Sequence, residues 1–327
     1  MMGILWIVVG FLVGFAMIIK GGDVFVDAAL YIAKKLRIPT TIMGATIVSL
    51  TTTLPELFVS SRAAATGHSE MAIGNAIGSI ICNTGLILGL CLILTKVVHS
   101  NPFALKKSLL LLATIGVYAV LVWANGGLGR VGALILYGLL GLFVWLNLLE
   151  LRGEPDEGEA EDHENFKMVN LVKFLVGAAL IVAGARLLVD NGSALAAWMG
   201  VPEKVISLTL IAFGTSLPEL VTSITAIIKK ENALSLGNII GANILNITLV
   251  LSTAAMVSDT GRLALVRSEA GAFAGQYQLF LLDIPVAFAV CLTLAAGAFK
   301  RKLTRAHGCV LFGIYAAYLG VLLATMG

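Results

Sequence analysis

The stretch TIVSLTTTLPELFVSS (46–61) sets one carboxylate, Glu56, in sequence whose nearest upstream charge is Arg37. A charged side chain at bilayer depth costs at least a few kcal/mol. A second stretch, TLIAFGTSLPELVTSI (209–224), carries Glu219 in the same setting, 163 residues further on. The same offset pairs Pro55 with Pro218, Gly74-Asn75 with Gly237-Asn238, Gly78 with Gly241, Asn83 with Asn246 and Asp27 with Asp190. Residues 11–90 align with 174–253 without a gap, and about a third of the pairs are identical. The period is too long for a solenoid repeat, and two copies imply a duplicated bundle.

The surrounding composition says what kind of bundle. The chain has 327 residues, 58% hydrophobic and 13% charged, whereas a soluble domain is about half apolar and a quarter charged. Ten apolar stretches reach the roughly 17–25 residues that cross a bilayer. They lie near 4–22, 41–65, 71–94, 106–124, 129–149, 170–190, 204–228, 233–257, 283–299 and 306–325. The expected fold is therefore an all-α polytopic membrane protein with ten transmembrane helices. With the N-terminus outside, fifteen Lys and Arg fall in inside loops and five in outside loops, the bias expected of cytoplasmic loops. Both termini are then outside, at the plasma membrane.

Each copy holds five spans, an odd number, so the second copy enters the membrane inverted relative to the first. Inverted repeats place a binding site at the midplane where the halves meet. The division is 1–149 for the first repeat (motif 46–90), 150–169 for an acidic cytoplasmic linker and 170–327 for the second (motif 209–253). The linker region carries Glu150, Glu154, Asp156, Glu157, Glu159, Glu161, Asp162 and Glu164, a block that reads as solvated and flexible. The N-terminal stretch lacks a basic region and a cleavage site and reads as a retained span. The cysteines read as small buried hydrophobes and the histidines fall in or near loops. Lys20 and Arg186 are expected near span ends, pairing with Asp23 and Asp190.

The repeated motif has two parts, T-[TS]-L-P-E in the second span of each half and G-N-x-I-G-x-x-I-x-N in the third. Proline removes a backbone donor and clashes with the carbonyl four residues back. The carbonyls of Ser49–Thr52 and Ala212–Thr215 are thus expected to leave the helix ladder. Non-helical backbone at this depth is tolerated only inside protein or beside a wet cavity. Carbonyls, hydroxyls and two carboxylates make an all-oxygen shell, suited to Ca²⁺ or Na⁺ rather than zinc or copper. Asn83 and Asn246 read as carbonyl-oxygen ligands; for Asn75 and Asn238, ligation and structural hydrogen bonding are equally open. Gly74, Gly78, Gly237 and Gly241 repeat at four-residue spacing and permit close helix contact. No Lys or Arg matches the depth of Glu56 or Glu219. Two carboxylates balance one Ca²⁺ or two Na⁺; a third Na⁺ makes exchange electrogenic, and with no cation the pair tends to take up a proton.

At these residues the chain resembles the cation/Ca²⁺ exchanger superfamily, specifically prokaryotic Na⁺/Ca²⁺ antiporters. TTTLPELFVSS…GNAIGSIICN and GTSLPELVTSI…GNIIGANILN look like its two signature repeats. The resemblance implies four clustered cation sites between spans 2, 3, 7 and 8. Glu56, Asn83, Glu219 and Asn246 would line the central sites, with Thr52 and Thr215 giving backbone carbonyls to Ca²⁺. Ser49, Thr53 and Ser79 would form the inner Na⁺ site, and Ala212 (by its carbonyl) and Ser216 the outer one. Spans 1 and 6 would slide against an eight-helix core, with Gly14, Gly21, Gly177 and Gly184 letting them lie close to it. Four positions depart from the family pattern: Thr51, Ile80, Ala242 in place of a serine, and Asn246, which is Asp in some members. The last two weaken the outer Na⁺ site.

The expected function is electrogenic Na⁺/Ca²⁺ antiport by alternating access, extruding Ca²⁺. The alternative is Ca²⁺/H⁺ exchange in the same superfamily, against which stands Ile77 where proton-coupled members tend to carry an acid. The expected partners are the lipid bilayer and the transported Ca²⁺ and Na⁺, with no cofactor, no nucleic acid and no obligate protein partner. An enzyme would need a nucleophile with a base, or a metal cluster with a general acid, and no histidine falls at midplane depth. A channel is disfavoured because twofold-related buried sites suit occlusion better than continuous conduction.

Overall fold

The computed structural model describes residues 2–95, 97–153, 167–199, 212–265 and 275–326. In order these form α1 (Met2–Lys35), α2 (Thr40–Thr52), α3 (Leu54–Ala65), α4 (Ser69–Leu94), β1 (Val97–His99), α5 (Pro102–Asn125), β2 (Gly127–Gly129), α6 (Arg130–Gly153), α7 (Met168–Trp198), α8 (Ala212–Gly214), α9 (Leu217–Ile228), α10 (Asn232–Val257), β3 (Arg262–Ala264), α11 (Leu279–Phe299), β4 (Lys302–Thr304) and α12 (Arg305–Met326). Among the described residues, eight helices are long and apolar enough to cross a membrane alone, and α2 with α3, bent by 43°, passes the same test only as a pair. Of the seventh expected span, α8 and α9 are seen; residues 204–211 lie outside the described residues. So do the linker acids from Glu154 to Glu164.

The first and sixth spans are longer than the hydropathy breaks imply. α1 has 34 residues and α7 has 31, so α1 is about 51 Å long at 1.5 Å per residue, well over the ~30 Å hydrocarbon core. Polar residues therefore extend these helices instead of ending them. Lys20 and Arg186 consequently sit mid-helix rather than at helix ends. Asp23 pairs with Lys229 (3.6 Å), not Lys20, and Asp27 joins it at 2.8 Å.

The glycines of α1 and α7 also act differently from expectation. A Cβ on Gly14 would lie 2.9 Å from the Gly184 carbonyl, and one on Gly177 would lie 2.7 Å from the Phe25 amide. The four glycines bring α1 and α7 against each other rather than against the core. Phe25 and Phe174 stack beside them, ring centres 4.5 Å apart. Contact with the core runs instead through Gly22, where a Cβ would meet Val221 and Thr225 on α9 at 2.7 and 2.9 Å.

The main apolar core lies among α4, α5, α6, α10, α11 and α12. Two short antiparallel ribbons join the halves of the chain: β1 pairs with β4, and β2 with β3. α5 separates β1 from β2, so the ribbons lie at its opposite ends. Glu150, expected in the solvated linker, is instead buried in α6, ion-paired to the buried Lys107 and accepting from Asn101 Nδ2 at 2.6 Å. Asn101 also caps α5 through the Ala104 N–H (2.9 Å). A buried charge is tolerated here because both carboxylate oxygens are bonded. Cys82, Cys91 and Cys291 are buried as expected, but Cys309 is exposed.

The two second-and-third-span units pack through glycine. A Cβ on Gly237 would fall within 3.0 Å of the Thr41 carbonyl, one on Gly241 within 3.0 Å of the Ala45 carbonyl, and one on Gly44 within 3.0 Å of the Leu234 carbonyl. α2 and α10 therefore cross backbone to backbone. Gly74 and Gly78 meet no described atom within 4 Å; the segment the repeat would set against them, 204–208, lies outside the described residues.

Two outcomes follow from this packing. Glu150→Gln removes the buried carboxylate that ion-pairs with Lys107 and should cost roughly 3–5 kcal/mol, read as a fall in the thermal midpoint of detergent-purified protein. The Lys107→Met/Glu150→Leu double variant should recover most of that loss. Gly237→Ala forces α2 from α10 at backbone contacts that cannot rotate away. It should abolish monodisperse protein on size exclusion, beyond the ~1–3 kcal/mol of ordinary overpacking.

Candidate cation site

The site starts at two breaks in the helix ladder. In the first half, the Thr53 N–H bonds the Ser49 carbonyl at 2.9 Å, and regular bonding resumes with the Leu57 N–H on Thr53 at 3.0 Å. The carbonyls of Leu50, Thr51 and Thr52 lie in the gap, because Pro55 has no N–H to offer. Ser49, expected to leave the ladder, keeps its helical partner. In the second half the Ser216 N–H bonds Phe213 at 3.1 Å and the Leu220 N–H bonds Ser216 at 3.0 Å, with Pro218, which has no N–H, at the matching place.

Each break creates a new helix N-terminus, and Glu56 and Glu219 stand in the first turns of α3 and α9. Those turns expose unpaired N–H groups and the positive end of the helix dipole, which favours a carboxylate. Thr53 and Ser216, each followed three residues later by glutamate, spell a capping box. Neither hydroxyl caps its helix. Thr53 Oγ1 donates instead to Glu219 Oε1 at 3.3 Å, and Ser216 Oγ to Ser79 Oγ at 3.3 Å, which donates to Glu56 Oε1 at 3.5 Å. Local helix stability is given up so that hydroxyls face the carboxylates.

Glu56, Glu219, Asn83 and Asn246 are all 0% exposed. Glu56 Oε2, Glu219 Oε2 and both amide atoms of Asn83 and of Asn246 have no hydrogen-bond partner among the described residues. Each such group costs about 1–3 kcal/mol, and native proteins carry few of them. The two carboxylates also repel each other across the halves. Buried oxygens of this kind fit a bound hard cation, whose charge balances the pair and whose coordination uses the free lone pairs. No group of three or more His, Cys, Asp or Glu able to hold a metal occurs among the described residues, so the donor set is two carboxylates with neutral oxygens.

The open question over Asn75 and Asn238 is answered by their contacts. Asn75 Nδ2 donates to Ser60 Oγ (2.9 Å) and its Oδ1 accepts from Thr215 Oγ1 (3.2 Å). Asn238 Nδ2 donates to Ser223 Oγ (3.3 Å) and its Oδ1 accepts from Thr52 Oγ1 (3.3 Å). Both amides are committed to protein. Ser49 Oγ is likewise turned to the Thr46 carbonyl (3.1 Å). Ala212 opens α8; its side chain lies outside the described residues. Ser60 and Ser223 escaped the sequence reading, although the 163-residue offset pairs them too.

The family described as sodium/calcium exchanger protein matches residues 6–149 and 169–324. The chain belongs to this exchanger family. Inner membrane protein YrbG of Escherichia coli is 36% identical over 258 residues, covering 76% of this chain and 78% of that protein. Sodium/calcium exchanger MaX1 of Methanosarcina acetivorans is 28% identical over an alignment of 351 residues, covering 95% and 97%. A solved structure of the sodium-calcium exchanger NCX_Mj, soaked with Na⁺ and no Ca²⁺, superposes with a TM-score of 0.81 at 28% identity, covering 97% of this chain and 99% of that one. The exchanger family is one of multi-pass membrane transporters, not enzymes, and the helical fold of this chain is that of NCX_Mj.

Proposed function

We propose that the chain is a secondary-active antiporter that exchanges Na⁺ for Ca²⁺ by alternating access and extrudes Ca²⁺ electrogenically. One observation carries the reading: Glu56 and Glu219 are fully buried and repel each other across the halves, and the buried Asn83 and Asn246 amides have no partner among the described residues. Two carboxylates neutralise one Ca²⁺. Two Na⁺ give the same neutrality, and a third carries one net charge per cycle. Glu56, Glu219, Asn83 and Asn246 hold the central ions, with the carbonyls of Thr52 and Thr215. Thr53, Ser79 and Ser49 serve the inner Na⁺ site, Ser216 and the Ala212 carbonyl the outer one. The names of MaX1 and NCX_Mj support this substrate pair.

The architecture proposed is ten spans as two inverted five-helix repeats, 1–149 and 170–327, joined by the linker 150–169. Both termini are outside the plasma membrane and the linker is cytoplasmic. α1 and α7 move against the remaining helices.

A second reading, Ca²⁺/H⁺ exchange, has one observation in its favour. Ala242 stands at the position equivalent to Ser79, so Glu219 lacks the hydroxyl that Glu56 receives and takes one from Thr53 instead. That loss falls on the outer Na⁺ site.

Proteoliposomes loaded with Na⁺ and diluted into ⁴⁵Ca²⁺ separate the two. Uptake should require the Na⁺ gradient and rise when a K⁺ diffusion potential makes the interior positive, since net positive charge leaves with Na⁺. Uptake driven only by a proton gradient would make H⁺ the counter-ion. Glu56→Gln and Glu219→Gln should each lower Ca²⁺ affinity at least tenfold, about 1.4 kcal/mol; near-normal affinity in either variant sinks the site assignment.

A further inference from the structure

We infer that Asn75 and Asn238 are positioning residues, each holding the helix break of the opposite half so that its threonine carbonyl stays fixed at the cation site. The inference rests on the exchange reading above and adds to it four side chains that do not themselves touch an ion.

The geometry is a pair of three-residue clamps. In one, Ser223 on α9 accepts from Asn238 on α10, and Asn238 accepts from Thr52 on α2. In the other, Ser60 on α3 accepts from Asn75 on α4, and Asn75 accepts from Thr215, between α8 and α9. All three positions are related by the 163-residue offset, so the clamps are copies with the halves exchanged. Ser60, Ser223 and Asn238 are fully buried. Asn75 Nδ2 also reaches the Glu56 carbonyl at 3.4 Å, tying this clamp to the turn that carries the carboxylate.

The need for such a clamp follows from the breaks. Thr52 sits where helical bonding lapses, so its carbonyl is not locked by an i+4 partner. A backbone freed from its helical bond regains conformational entropy, and a carbonyl that wanders is a poor cation ligand. The Thr52 hydroxyl, shared between the Ser49 carbonyl (3.2 Å) and Asn238 Oδ1 (3.3 Å), ties the break both to its own helix and across to the other half. Each half thereby fixes the ligand geometry of the other through a neutral bond that leaves the site's charge unchanged.

The test is a double-mutant cycle on ⁴⁵Ca²⁺ uptake by proteoliposomes, with thermal unfolding of the same preparations. Asn238→Ala, Asn75→Ala and the nearly isosteric Thr52→Val should each raise the half-saturating Ca²⁺ about tenfold while the maximal rate stays within about twofold. Thr52→Val/Asn238→Ala should be no worse than either single change, because the two share one bond, whereas Thr52→Val/Asn75→Ala should be multiplicative. A purely structural role predicts lower thermal stability with unchanged half-saturation in all three single variants, and that outcome overturns the inference. So does equal non-additivity in the two doubles. Thr52→Val keeps the test decisive if an asparagine variant does not fold. Wild-type protein that takes up no ⁴⁵Ca²⁺ sinks the exchange reading and this inference with it; normal wild-type uptake with unaltered variants sinks the inference alone.

Discussion

Glu56 and Glu219 are two like charges, both fully buried and neither ion-paired to a basic side chain among the described residues, and much of the structure is arranged around that cost. The prolines interrupt the ladder one residue before each glutamate, so that both stand at helix N-termini with free N–H groups nearby. Dipole and backbone donors lower the cost of each carboxylate without cancelling its charge. What is left over is a negative charge that the cations of the proposed exchange would balance. A resident Lys or Arg would have stabilised the fold more cheaply and abolished the reason for the site.

The wasted capping boxes make the same point at the level of single bonds. Thr53 and Ser216 have the residue type, spacing and position to close the first turns of α3 and α9. A cap is worth about 1 kcal/mol, and neither is formed. Conflict between local stability and global arrangement is expected at functional sites, and here it takes the form of two hydroxyls turned from their own helices towards the glutamates and Ser79.

Much of this was legible in the sequence. The 163-residue offset and the proline next to each glutamate located the breaks and the buried pair, because proline chemistry is local. The family match and the superposition on NCX_Mj bear out the exchanger resemblance. What sequence could not supply was partner choice. Asp23 lies three residues from Lys20 yet meets Lys229, which is brought near only by the packing of α1 on α9. Glu150 sits at the edge of an acidic block and was read with it, but the helix continues to Gly153 and carries it inward to Lys107. The glycines of α1 and α7 announced close approach without saying to what. Asn75 and Asn238 could be resolved only once Thr215 and Thr52 were seen to occupy their carbonyl ends.

The ribbons β1–β4 and β2–β3 are small, yet each ties the first half of the chain to the second through main-chain bonds. Main-chain bonds are indifferent to most side-chain changes. A duplicated protein joined in this way can let its two copies drift apart in sequence without losing their register. Ser79 facing Ala242, and Ile80 facing Asn243 with its bond to Thr84, are the kind of divergence such a joint permits. The glutamates match across the 163-residue offset while the residues around them differ, so the two ends of the site need not hold an ion alike.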